Sequence, residues 1–171
     1  GEAMDKAART MGLDYPGGLN LDRIAADGDP LSYKFPSPKV QDNELDFSFS
    51  GLKTSVINLV HNITQKGEEI DVKNIGASYM HCVVSCLCDR TEKAIRLVAP
   101  KKLVIAGGVS ANSVLRREMT SLAKKHNLEL YMPELKYCGD NAAMVGAQAF
   151  YEYQSGNVAD LKLNATAALD I

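Results

Sequence analysis

Apolar residues recur every three or four positions along most of this chain, which predicts a largely helical protein. The predicted helices cover residues 2–11, 21–26, 52–65, 72–98, 114–125 and 141–154. Two short runs rich in β-branched and long apolar residues, 103–106 and 128–132, depart from this period and predict buried strands. Because these strands alternate with helices, we predict an α/β fold with a small mixed sheet that is covered by helices.

The pattern also divides the chain into two regions. Residues 1–70 predict short helices joined by turns rich in Pro and Gly, and residues 71–171 predict an α/β lobe that holds both strands. The helix over 72–98 is apolar on most sides, so we expect it to be central. In the first region, alternating Phe and Ser at 47–50 predicts an edge strand with both rings on one face, and Ser50 is a candidate cap for the next helix. The same stretch reads either as a hydrophobic helix entry or as a polar loop that presents Ser50 and Lys53 to a ligand.

The segment KLVIAGGVSAN, residues 102–112, carries the clearest candidate site. A strand leads into Gly107 and Gly108, where the backbone can turn sharply or approach a ligand closely. Ser110 or Asn112 then caps a helix. Free backbone N–H groups and the positive end of a helix dipole favour an anion at such a turn, so a phosphate or nucleotide is expected there.

A second polar turn, residues 138–141, follows the second predicted strand and precedes the last helix. Polar turns at the ends of neighbouring strands are typical of a ligand cleft in an open α/β sheet. Two ordinary strand–helix connections would give the same pattern, so both interpretations stay open at this stage.

Composition narrows the classes of function. The chain has 171 residues and a net charge of −2, so any contact with RNA requires a local basic patch or a partner protein. No apolar run is long enough to span a membrane and no signal peptide is evident, so we expect a cytoplasmic protein.

Cysteine and histidine supply little evidence for a metal site. The cysteines are expected to be free thiols, and a cluster of the three on the long helix lacks paired metal-ligand spacing. None of the histidines is spaced with another ligand, and the one on the long helix is expected in the core or at its boundary. These residues are Cys82, Cys86, Cys88, Cys138, His61, His81 and His126.

Four segments, taken together and in order, resemble the TsaD/Kae1/Qri7 family, formerly called Gcp or O-sialoglycoprotein endopeptidase. They are GEAMDKAARTMGLDYPGG, FSFSGLKT, LVIAGGVSAN and CGDNAAM. The resemblance implies an ATPase fold of the actin/Hsp70/sugar-kinase (ASKHA) type, with a nucleotide cleft between two lobes. It also implies transfer of threonylcarbamoyl from threonylcarbamoyl-AMP to N6 of adenosine 37 in tRNAs that read ANN codons, with ATP as a further ligand of the full-length enzyme. One iron or zinc ion and TsaB- and TsaE-like partner proteins are implied as well.

The resemblance assigns roles to five positions. Asp5 matches an acid that contacts the substrate nucleotide, Gly18 a glycine that lets the ligand approach the backbone, and Asp22 an acid at the ribose. Asn112 matches the asparagine that binds the adenylate, and Asp140 matches a metal ligand. On their spacing alone, Asp5 and Asp22 would be interpreted as solvated helix acids.

The chain departs from the family in lacking an H-x-x-H motif and the Gly-rich phosphate loops of the first lobe. It also begins without an initiator Met, so we expect the C-terminal lobe of a longer enzyme, with residues 1–70 as a helical insertion. Such a piece is expected to hold no metal, to be inactive alone, to bind nucleotide poorly and to expose a face that favours dimers. A non-catalytic relative that serves as a scaffold, or a metallopeptidase of the glycoprotease type, remains as an alternative, although no H-E-x-x-H motif is present.

Overall fold

A computed structural model describes residues 1–37 and 44–165. Helices predominate and one small sheet is present, which confirms the predicted α/β class in its coarse form. The helices are α1 Glu2–Thr10, α2 Gly17–Ala25, α3 Ser50–Gln65, α4 Val72–Val98, α5 Ser113–Lys125 and α6 Ala142–Gln154. The strands are β1 Lys102–Val104 and β2 Glu129–Tyr131, and short 3₁₀ helices span Gly108–Ala111 and Leu135–Tyr137.

The chain forms two compact units, Gly1–Cys138 and Gly139–Ile171. The first unit contains α1 to α5 and the sheet, and the second contains α6, none of whose residues is buried. Residue 70, where the sequence pattern changes, is not a boundary between units, because α2 packs against α4 across it. Within the described ranges, no helix is both long and apolar enough to cross a membrane.

Helix α4 forms the centre of the first unit, as its apolar character predicts. Ten of its 27 residues are buried, and α2 and α5 both pack against it. Tyr79 is fully buried on α4, and its hydroxyl donates to the backbone carbonyl of Ala3 on α1 at 2.9 Å. Burial raises the pKa of Tyr79 to about 12, so the hydroxyl keeps its proton and the tie between α1 and α4 persists at neutral pH.

The loop after α2 is fixed to the first turns of α4. The Asp29 N–H donates to Asn74 Oδ1 at 2.6 Å, and the Tyr33 N–H donates to Ser78 Oγ at 3.1 Å. The Ser78 hydroxyl in turn donates to the Asp29 carbonyl at 3.2 Å. These bonds satisfy backbone groups of the loop and hold α2 at a defined position on α4.

The sheet is smaller than predicted. β1 and β2 pair in parallel, with Lys102 opposite Glu129 and Val104 opposite Tyr131. One further bond runs from the Ile105 N–H to the Tyr131 carbonyl at 3.0 Å, and the ladder then ends. The mixed sheet that we predicted is therefore a parallel pair within the described part of the chain.

Two local predictions in the first region and one on α4 are wrong. Residues 46–49 form no strand, although the rings of Phe47 and Phe49 stack with centroids 6.1 Å apart and so share a face as predicted. Ser50 is the first residue of α3 and not its cap, because the helix begins two residues earlier than the apolar stripe indicated. His81 is exposed, since the apolar surface of α4 does not extend all the way round the helix.

A cluster of charged side chains joins the ends of α4 and α5. Glu92 Oε1 accepts from Arg96 at 2.7 Å, from Lys125 at 2.9 Å and from the ring of His126 at 3.0 Å. The hydrogen bonds from Lys125, Arg96 and His126, in that order, lower the pKa of Glu92 from near 4.5 to about 2. The charged carboxylate is therefore favoured by folding.

We expect Glu92→Gln to lower the melting temperature at pH 7. Because the folded pKa lies below the unfolded one, the contribution of Glu92 is complete above about pH 4.5 and is lost as the pH falls towards about 2. The difference between wild type and variant should therefore shrink across this window in thermal melts. Glu68→Gln, at an exposed position, is the matched control, and an equal or pH-independent shift in both variants would contradict the prediction.

Candidate functional site

A cavity of about 400 Å³ opens between α1, α2 and the turn that leads into α5. The four residues that the resemblance assigns to substrate binding all line this cavity, although they come from distant parts of the sequence. These residues are Asp5, Gly18, Asp22 and Asn112. The fold therefore places the four predicted residues around one space that is large enough for part of a nucleotide.

Asp5 connects α1 to the start of α2. Its Oδ1 accepts from the Gly18 N–H at 2.9 Å, which satisfies one of the free donors at the N-terminus of α2. Pro16, the residue before α2, provides no side-chain cap, so Asp5 takes over that function from another helix. Among the described residues, Asp5 Oδ2 receives no hydrogen bond from the protein, so this oxygen is an acceptor that a ligand can use.

The two glycines at the start of α2 serve different purposes. A Cβ on Gly17 would lie 2.8 Å from the Asp5 Cα and 2.9 Å from the Ala8 Cβ, so only glycine allows α1 and α2 to pack this closely. A Cβ on Gly18 would meet nothing nearer than 3.8 Å and would point towards residues of the cavity wall. Gly17 therefore serves packing, and Gly18 leaves space beside the cavity.

This difference gives a matched pair of variants. We expect Gly17→Ala to destabilise the protein by about 1–3 kcal/mol through overpacking. Gly18→Ala should change stability by only about 0.5 kcal/mol. It should nevertheless weaken binding of an adenosine nucleotide to the complete protein, because its methyl group takes space from the ligand. Denaturant unfolding and nucleotide titration measure the two effects, and equal loss of stability in both variants would contradict the assignment.

Asn112 is buried and caps α5. Its Oδ1 accepts from the Leu115 N–H at 2.8 Å, so of the two candidate caps Asn112 is the actual one. The other candidate, Ser110, instead donates its hydroxyl to the Gly107 carbonyl at 2.6 Å and closes the turn. The Asn112 amide nitrogen also contacts Met80 Sδ on α4 at 3.3 Å, so this side chain links the turn to the core.

Asp22 is on α2, and its carboxylate lies against the N-terminus of α5. Its Oδ1 accepts from Asn112 Nδ2 at 2.7 Å and from the Ser113 hydroxyl at 2.9 Å, and its Oδ2 accepts from the Ser113 N–H at 3.0 Å. The protein's own carboxylate thus takes the position where we expected a phosphate. A phosphate at the α5 N-terminus would face the negative charge of Asp22, so this arrangement disfavours a phosphate there, and the nucleotide stays a prediction.

The cavity wall suits the sugar and base of a nucleotide better than its phosphates. No lysine or arginine of the described residues lines it, whereas Asp5 and Asp22 offer carboxylate oxygens that accept hydrogen bonds from hydroxyl groups. The remaining wall is largely apolar, as a flat aromatic base requires. Its apolar members include Met4, Tyr15, Leu19 and Val109.

Arg116 bonds to the turn that precedes α5, a function that no sequence pattern predicted. Its Nε donates to the Ser110 carbonyl at 2.7 Å, and a terminal nitrogen donates to the Pro133 carbonyl. The same nitrogen lies 3.5 Å from Cys138 Sγ. A guanidinium with several fixed donors is well suited to tie two loops together, and here it ties the turn before α5 to the segment after β2.

Cysteine residues on α4 do not resemble metal ligands. Burial raises the pKa of Cys82 and Cys86, and raises that of Cys88 to about 11. Thiols with raised pKa values keep their protons, whereas metal binding requires the thiolate. All of the cysteines are free, as predicted.

The predicted metal ligand Asp140 lies in the second unit and is exposed. Its neighbour Asn141 caps α6 by accepting from the Met144 N–H at 3.0 Å. Across residues 1–37 and 44–165, no group of three His, Cys, Asp or Glu side chains is arranged to hold a metal ion. This donor set does not fit a complete metal site, and Asp140 could supply at most one ligand to a site completed elsewhere.

Comparison with known proteins identifies the same family as the sequence motifs. The profile of the TsaD family, described as tRNA N6-adenosine threonylcarbamoyltransferase, matches residues 1–147. The tRNA N6-adenosine threonylcarbamoyltransferase of Staphylococcus carnosus is 44% identical over 171 residues, which cover 100% of this chain and 50% of the relative. The protein of the same name from Mesoplasma florum is 48% identical over 158 residues, or 92% of this chain and 50% of the relative. The chain thus spans about half the length of the curated relatives that it matches, and it belongs to the TsaD family.

Proposed function

We propose that this chain supplies the nucleoside-binding wall of a tRNA N6-adenosine threonylcarbamoyltransferase. The observation that carries the proposal is the convergence of Asp5, Gly18, Asp22 and Asn112 on one cavity. The acceptors and apolar wall of that cavity suit a ribose and a base, and the name of the relatives specifies the reaction.

In this reaction the N6 nitrogen of adenosine in tRNA bonds to the carbamoyl carbon of threonylcarbamoyl-AMP. The bond from that carbon to the phosphate oxygen breaks, AMP leaves with the electron pair, and N6 loses a proton. The residues of this chain would contribute by holding the adenylate in a fixed orientation, which removes part of the entropic cost of bringing the reactants together.

We assign the polar groups as follows. Asp5 Oδ2, which receives no donor within the described residues, accepts from a ribose hydroxyl. Asp22 orients the Asn112 amide, and we assign to the adenylate the Asn112 N–H that contacts Met80 Sδ in this structure, because a thioether is a weak acceptor. Met80 is fully buried and does not line the cavity, so the amide has to turn towards the cavity for this bond to form. In this assignment Asp22 acts mainly through Asn112, whereas the resemblance implied a direct contact with the ribose.

For the fold, we propose the C-terminal lobe of an ASKHA-type ATPase, with residues 1–70 as its helical insertion. β1 pairs with β2 alone among the described residues, so its other edge is open to further strands. An apolar cavity of about 420 Å³ lies beside β1, lined in part by Leu103, Ile105 and Leu115. An open strand edge beside an apolar surface supports completion of the sheet by a part of the protein outside this chain.

The metal, the partners and the location are also proposals. We propose one iron or zinc ion in the complete enzyme, with Asp140 as one ligand and the others from outside this chain. Such an ion would polarise the substrate carbonyl. TsaB- and TsaE-like proteins are the proposed partners, the cytoplasm is the proposed location, and the isolated chain is expected to form dimers.

A transfer assay tests the proposal. The complete protein that carries this sequence is mixed with threonylcarbamoyl-AMP, its partner proteins and an unmodified tRNA that reads an ANN codon, and the tRNA is digested to nucleosides for mass spectrometry. We expect threonylcarbamoyladenosine to appear with the complete protein and not with the isolated chain. Nucleotide and tRNA binding without any product would instead favour the scaffold alternative.

A further inference from the structure

Cationic side chains gather where α4 and α5 end and β1 begins. We call this surface the basic edge, and it consists of Arg96, Lys101, Lys102, Lys124 and Lys125, all of them exposed.

Hydrogen bonds show that these segments lie together. Arg96 on α4 and Lys125 on α5 share the carboxylate of Glu92. The Glu129 N–H donates to the Lys101 carbonyl at 3.1 Å, and Lys102 lies 3.8 Å from the Glu129 carboxylate. Because Glu129 follows α5 by only a few residues, the helix end and the strand start form one continuous surface.

Positive charge is in excess on the basic edge. Its five Lys and Arg side chains face two carboxylates, Glu92 and Glu129, which leaves three positive charges on a chain whose net charge is −2. Lys101 and Lys124 have no acidic partner within the described part of the chain. A local excess of this kind attracts a polyanion in spite of the overall acidity.

Helix capping explains only part of this arrangement. Cations near the end of a helix interact favourably with its dipole, which accounts for Arg96, Lys124 and Lys125. Lys101 precedes β1 and Lys102 begins it, so neither lies on a helix, and a strand has only a small net dipole. The helix dipoles therefore leave these two lysines unexplained.

We propose that the basic edge binds the phosphate backbone of the tRNA substrate, away from the base that reacts. The inference rests on the proposed function, which supplies the polyanion. The substrate cavity lies at the other end of β1, and the seven residue steps from Lys101 to Gly108 span at most about 25 Å. A folded tRNA is longer than this distance, so its phosphate backbone can contact the basic edge while one base lies near the cavity.

The test compares two double variants of the complete protein. Lys101→Gln/Lys124→Gln removes the two unpaired charges of the basic edge. Lys34→Gln/Lys66→Gln removes the same charge from two exposed positions, one in the loop that bonds to Ser78 on α4 and one at the end of α3. Ser78, which contacts the loop of Lys34, lies 18 residues from Arg96 along α4, or about 27 Å.

Binding of an unmodified tRNA transcript is measured at several salt concentrations. We expect the edge variant to bind about threefold to tenfold more weakly at 50 mM salt, with a slope of log K against log salt that is smaller by about 1.5. The control variant should retain the wild-type affinity and slope. Thermal melts establish that both variants are folded.

Two results would contradict the proposal that the basic edge binds tRNA. One is an unchanged affinity and slope in Lys101→Gln/Lys124→Gln, which would mean that the edge faces another partner or solvent. The other is an equal loss in both double variants, which would show only a general effect of charge. Failure of the wild-type protein to bind tRNA at all would be a separate result, because it would refute the proposed function as well.

Discussion

Asn112→Asp is expected to abolish transfer and to destabilise the first unit by about 2–4 kcal/mol. The new carboxylate would still cap α5 by accepting from the Leu115 N–H. It would lose the donor that bonds to Asp22 and would place a second negative charge about 3 Å from that carboxylate, where like charges repel. The same change removes the donor that we assign to the adenylate.

The double variant Asp22→Asn/Asn112→Asp separates structure from function. It exchanges the two side chains, so an amide–carboxylate hydrogen bond can form again with donor and acceptor reversed. We expect it to recover most of the stability in denaturant unfolding and little of the transfer activity. Full recovery of activity would show that this pair has only a structural function, and normal stability in Asn112→Asp would mean that the bond is absent.

Gly28→Ala is expected to destabilise the protein by about 3 kcal/mol or more. A Cβ at this position would lie 2.2 Å from the Lys73 carbonyl oxygen and 2.9 Å from the Ala77 Cβ. The first of these is a backbone atom of α4 that cannot rotate away, so α2 and its following loop must shift. Because Asp22 is on α2, the shift should also disturb the cavity and reduce nucleotide binding.

Gly51→Ala is the matched control for this variant. A Cβ there meets no atom within 4 Å, and the residue is in the first turn of α3. Alanine should be neutral or stabilise the protein by up to about 1 kcal/mol. Urea unfolding of both variants measures the difference, and similar midpoints for the two would contradict the close contact between Gly28 and α4.

Periodicity located each of the six α-helices of the described residues to within four residues at either end, because apolar residues recur along them with the helical period. Predictions from periodicity failed where contacts with distant parts of the chain decide the local structure. The Phe–Ser alternation at 47–50 is typical of a strand, yet no neighbouring strand pairs with it among the described residues, so the segment enters α3 directly. The period also overstated the apolar surface of α4, where His81 faces solvent.

The sequence motifs indicated which residues lie at the candidate site, but they did not indicate the hydrogen bonds between those residues. The motifs named Asp5, Gly18, Asp22 and Asn112, and the fold places all four around one cavity. No local pattern could show that Asp22, 90 residues before Asn112, occupies the anion position at the start of α5. The functions of Gly17 and Arg116 are also set by distant contacts, so only the folded chain reveals them.

Hydrogen exchange tests the central claim most directly. The complete protein is labelled with and without a non-hydrolysable analogue of threonylcarbamoyl-AMP, and the exchange of backbone amides is compared by mass spectrometry. If the cavity binds the nucleoside, the amides of residues 15–18 and 107–111 should exchange more slowly with the analogue, while those of residues 66–70 stay unchanged. Analogue binding that leaves both segments unprotected would contradict the assignment of this cavity.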